Sequence, residues 1–171
     1  MNAIRALEDY LEKLQQAKPE IVSRLAERGE EIAESRFANA YYAGTNDVFV
    51  SSESDGDTAT ITAQGDAVAF IEFGTGVTHN GAGAYPQEVP EEIVGIGEYG
   101  HGHGSSYYGW YYSGEKGTGG EDVYRTLKDG SRRKREGWVH TYGNPPAAAM
   151  YRAANFMQEE AASIVREVLA E

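Results

Sequence analysis

The period of the apolar residues changes along this 171-residue chain. Ile4, Leu7, Leu11 and Leu14 recur at intervals of three and four, which places them on one stripe of a helix. Pro19 interrupts that pattern. Proline is tolerated in a first helical turn. A second helix starting near Lys18 therefore accounts for the stretch up to Gly44 as well as one kinked helix does, with Val22, Leu25, Ile32, Ala33, Phe37 and Ala40 directed inward. Gly29 slightly weakens its middle.

From Asp47 the period is two: Val48 and Val50 alternate with polar residues, and Ala59, Ile61 and Ala63 repeat the pattern. Asp55-Gly56 between them marks a hairpin, because tight turns need positive φ angles that Asp and Gly tolerate. A third strand is expected over Ala67 to Phe73, completing an antiparallel meander, and its alternation turns Glu72 away from Phe73 as an exposed or neighbour-pairing carboxylate. At the other end Asn144 suits an N-cap and Pro145 and Pro146 a first turn, while Met150, Ala154, Met157, Ala161, Ile164 and Val168 keep helical spacing. The expected helix is about 25 residues long, on the order of 37 Å. Helices at both ends covering an antiparallel sheet make the expected class α+β, in one domain over residues 1–171.

Composition sets the middle of the chain apart. Seventeen of the 21 glycines and eight of the 12 tyrosines fall within residues 74–143, which reads as an insertion rich in glycine and aromatic residues. A net charge of −12 argues against a surface built throughout to hold DNA, since phosphate binding needs basic side chains. With no cysteine there are no disulfides and no thiolate metal ligands. The N-terminal segment is charged throughout, unlike a signal peptide, and no run of about 18 apolar residues marks a membrane span, so the expected site of synthesis and use is a cytoplasm.

Candidate chemistry is sparse. His101 and His103 lie two residues apart, with His79 and His140 as further ligands, but glycines surround the pair and no HExxH spacing occurs. The chain has no GxSxG elbow and no GxxxxGK[ST] loop. These absences point to no cofactor, no metal and no catalytic residue; a metal-dependent hydrolase using His101 and His103 is the competing enzyme reading. Arg132, Arg133, Lys134 and Arg135, with Arg125 and Lys128, put six of the 15 basic residues on an expected hairpin around Lys128-Asp129-Gly130-Ser131. That hairpin is either a solvated tip or a contact for an acidic neighbour, with DNA in a channel as a third option. Tyr107, Tyr108, Trp110, Tyr111 and Tyr112 are candidate interface residues beside it, because amphipathic aromatics favour protein interfaces.

Two segments carry a family resemblance. The first is "FIEFGTG", with Phe70, Glu72, Phe73, Gly74, Thr75 and Gly76; the second is "GNPPAAAMYRAA", with Pro145, Pro146 and Met150. In this order they resemble the tail-completion or head-tail joining proteins of long-tailed phages, also described as minor tail components. There a "VEFGT"-like segment precedes a proline-marked start of the C-terminal helix, and Ile71-Glu72-Phe73-Gly74-Thr75 matches the first directly. Met150 stands for the apolar anchor of the second and Ala153 or Ala154 for its small residue; no second proline follows, so the helix carries over more securely than the turn. His103-Gly104, Gly109 to Tyr112 and Gly137 to Thr141 look like an insertion found in one branch of the family. The resemblance implies a non-enzymatic virion protein at the phage neck: a homo-oligomeric ring, six-fold, with head connector or adaptor proteins and tail terminator or tail-tube proteins as partners. The alternative is a small binding or regulatory module that recognises an acidic protein or nucleic acid through its basic hairpin.

Overall fold

A computed structural model describes residues 3–75 and 109–170. Its elements, in chain order, are α1 (Ala3–Ala38), β1 (Phe49–Ser54), β2 (Ala59–Gln64), α2 (Val68–Phe73), β3 (Trp110–Ser113), β4 (Glu121–Thr126), β5 (Arg132–Thr141) and α3 (Ala149–Ala170). Helices at both ends with antiparallel sheets make an α+β fold. The described residues gather into two compact units.

The first unit takes α1 up to Glu34, the hairpin over Val50–Ala63, and α3 from Met150. The N-terminal stretch is one helix of 36 residues with Pro19 inside it. Burial on one side after the proline, at Ile21, Ala26 and Ala33, offsets the lost backbone hydrogen bond. The stripe before it stays open, with Ile4 65% and Leu7 61% exposed. The β1–β2 hairpin turns where expected: Gly56 has φ +90°, and the Asp55 carboxylate accepts from the Asp57 and Thr58 amides at 2.9 and 2.7 Å. That turn lies against Pro19. At Gly29 a methyl group would lie 2.6 Å from Met157 Sδ, so the missing side chain lets α3 approach α1 closely. Val22, Leu25, Ala26, Ile61, Met150 and Met157 line a groove of about 400 Å³ shared by all three elements.

The second unit comprises Ser35–Phe49 and the described part of Gln64–Ala149. The segment expected as a third strand is the short helix α2. A run of seven mainly apolar residues does not separate strand from helix by periodicity. The Asp47 carboxylate accepts from the Asp66 and Ala67 amides, both at 2.9 Å, and so fixes the two residues that lead into the helix. Ala67 and Ile71, four apart, are buried on one face, and the Ile71 amide donates to the Ala67 carbonyl at 2.9 Å. The meander is accordingly replaced by a two-stranded sheet, β1-β2, and a separate three-stranded sheet of order β3-β5-β4. The second sheet lies within the glycine-rich region, and its β4–β5 connection is the expected basic hairpin, closed by Leu127 donating to Ser131 at 2.8 Å.

Candidate functional site

The described part of the first motif segment, up to Thr75, meets the start of the second, up to Ala149, within the second unit. Gly74 ends α2 with φ +78°, and a side chain there would collide with the Pro146 backbone nitrogen at 2.7 Å. Thr75 and Asn144 then pair as an antiparallel bridge, exchanging amide-to-carbonyl hydrogen bonds at 2.9 Å in both directions. The Thr75 hydroxyl donates to the Asn144 side-chain carbonyl at 2.5 Å, and the Asn144 amide donates to the Phe70 carbonyl at 2.9 Å. Ala147 and Ala148 donate to the Ile71 and Glu72 carbonyls at 2.8 and 3.1 Å. The final carbonyls of α2, which have no partner within a helix, are thus satisfied by the segment leading to α3.

Two expectations are corrected here. Asn144 does not cap α3, which begins at Ala149; it is spent on Thr75 and Phe70, and Pro145 and Pro146 lie in the connecting segment. Glu72 is not an exposed strand carboxylate but 3% exposed, because a helical rather than an alternating backbone turns it inward. Phe70 and Phe73 are half-buried, Thr75 is buried, and Met150 lines the groove of the first unit. No buried side-chain nitrogen or oxygen among the described residues lacks a hydrogen-bond partner.

The aromatic candidates divide. Trp110 is half-buried. Tyr112 serves its own fold, donating its hydroxyl to the Ala43 carbonyl, and burial pushes that hydroxyl's pKa up. Tyr111 is 61% exposed, with its ring 4.7 Å from that of His140. His140 also meets the Tyr142 ring edge-on at 4.7 Å, and its Nδ1 lies 3.3 Å from Glu121. Nothing in the sequence short of strand register places those four together. Gly76, Tyr107 and Tyr108, and with them His79, His101 and His103, lie outside the described residues. Among the described residues no group of three His, Asp or Glu side chains is placed to hold a metal ion, and no helix is long and apolar enough to cross a membrane.

The basic run is likewise divided by strand alternation. On one face of the β4–β5 ribbon the Arg132 guanidinium lies 5.0 Å from the Tyr124 ring centre, and Lys134 pairs with Asp122 at 3.2 Å. Lys116 reaches the same carboxylate at 3.2 Å, and the two ammonium groups hold Asp122 below the usual carboxylate range. Arg135 stacks 3.7 Å above Trp138. Arg133 falls on the opposite face, directly across from Arg125. Neither side chain has a hydrogen-bond or ion-pair partner among the described residues.

Comparisons with protein-family models, with curated proteins and with solved structures find nothing that matches this chain.

Proposed function

We propose that this chain is a non-enzymatic structural protein of a tailed-phage neck, forming a ring that joins or completes the tail at the head connector. One observation carries the reading: the two segments that bear the resemblance, 69 residues apart, form a single joint through Thr75 and Asn144. Side chains and backbone there are committed to each other, which suits a framework that holds outward-facing surfaces in place. The exposed β4–β5 ribbon is such a surface. In a ring of identical subunits its head-to-tail contacts close when the rotation per subunit divides a full turn. The six-fold size and the partners, head connector on one side and tail terminator or tail tube on the other, come from the resemblance. The site of action would be the virion, after assembly in the host cytoplasm.

Particles made without this chain test the reading: unjoined heads and tails are expected, and normally joined, infectious particles would remove it. A second reading, a binding module for nucleic acid or an acidic protein, is favoured by Arg125 and Arg133, whose side chains have no partner among the described residues. It requires a monomer by light scattering that binds duplex DNA or an acidic protein tightly at physiological salt.

A further inference from the structure

Arg125 and Arg133 are Cα partners across two antiparallel strands. Like charges directly opposite each other in a sheet are destabilising, and that repulsion is relieved when an anion sits between them. The other cations of the run have partners on their own ribbon: Arg132 has Tyr124, Lys134 has Asp122 and Arg135 has Trp138. The Arg125–Arg133 face, with the exposed Lys128 at the turn, is therefore the part of the basic run that has no side-chain partner among the described residues.

Charge distribution identifies the occupant. Residues 125–135 hold six basic side chains against the single carboxylate of Asp129, a net of +5. The rest of the chain holds nine basic and 26 acidic residues, a net of −17. Such a body repels DNA and attracts the ribbon of another copy. Part of that acidity faces outward from the first unit. Arg28 pairs with Glu31 at 2.8 Å, which chiefly raises the guanidinium's pKa, and Glu160 and Glu167 from α3 add to the acidic surroundings of that pair. Glu31 and Glu167 are both exposed.

We propose that the Arg125–Arg133 face of the β4–β5 ribbon docks on a second copy of this chain, at the carboxylates of Glu31 and Glu167 where α1 and α3 meet. Ribbon and acidic face are made of different residues, so the contact is heterologous, and contacts of that kind close into a ring when the rotation per subunit divides a full turn. The inference rests on the ring reading of the chain's function and assigns the contact that would build the ring.

The test uses charge reversal in the full-length chain, with oligomer size read by sedimentation. The wild type should associate at low salt and dissociate as salt screens the contact. R125E/R133E and E31R/E167R should each weaken self-association by roughly tenfold or more, because juxtaposed like charges are costly. Mixing the two variants should restore assembly, since each then meets its complement. Circular dichroism should be unchanged and thermal midpoints nearly so, as all four side chains are exposed and the Arg28–Glu31 pair that E31R/E167R removes is a surface pair worth little. A wild type that stays monomeric at every salt concentration overturns the proposal, as does R125E/R133E assembling like wild type or a mixture that fails to assemble. A monomer that binds duplex DNA through Arg125 and Arg133 overturns it in favour of the nucleic-acid reading. Assembly that survives both reversals removes this contact while leaving the ring intact; the loss of the ring function itself is read separately, in particles lacking the chain.

Discussion

Thr75 and Asn144 exchange both backbone hydrogen bonds at 2.9 Å, and the Thr75 hydroxyl donates to the Asn144 side-chain carbonyl at 2.5 Å. Both residues are buried. Replacing Asn144 with Ala removes the hydroxyl's acceptor and the donor to the Phe70 carbonyl together, leaving buried polar groups unmade at a cost of about 1–3 kcal/mol. Urea denaturation of Asn144→Ala measures it. Thr75→Val should cost less in that background than in the wild type, because the two residues share one interaction. Additive effects would contradict the pairing.

Gly74 sits beside this bridge with φ +78° and no room for a side chain. Gly74→Ala should destabilise the chain by roughly 1–3 kcal/mol from the backbone alone, since φ +78° with ψ 171° is a conformation essentially confined to glycine, with more from the collision at Pro146. A thermal midpoint equal to that of the wild type would show that the segment can shift to admit a methyl group.

Asp47 fixes the entry to α2 from the preceding loop, and the Ala67 and Asp66 amides hold its carboxyl below the usual carboxylate range. A carboxylate depressed in the folded state contributes stability that is fully present above its unfolded pKa of about 3.9 and is lost as pH falls through the folded value. Asp47→Asn should therefore lower stability at neutral pH and make it less dependent on pH below about 4. Denaturation midpoints measured from neutral pH downward check this; parallel curves for the two proteins would exclude that role.

Met150 lines the apolar groove of the first unit. Met150→Asp places a carboxylate against Val22, Leu25 and Ile61 and should cost about 1–3 kcal/mol, whereas Met150→Leu conserves volume and should cost less than about 1.5 kcal/mol. Equal melting temperatures for the two variants would contradict the groove's role in packing.

Elements whose signals are long or chemically specific are legible in the chain's own pattern. The helical spacing from Met150 to Val168, the Asp55-Gly56 turn and the basic hairpin around Lys128 to Ser131 all appear where their residues place them. Each depends on residues close together in the chain: a repeated i, i+3, i+4 pattern, or a glycine at a position that demands positive φ. The short run Ala67 to Phe73 was a different case. Its pattern fits a strand or a helix, and the residues that lead into it are fixed by the Asp47 carboxylate about 20 residues upstream, bonded to the Ala67 amide. Asn144 reads as a helix cap by the same local rules, yet tertiary structure gives it to Thr75 and Phe70.

The basic run shows the same division. Composition places the charge, but only strand pairing, with Arg125 opposite Arg133 and Tyr124 opposite Lys134, decides which cations are satisfied and which face outward. Register joins residues distant in sequence through backbone hydrogen bonds, and a shift of one position would exchange the two faces.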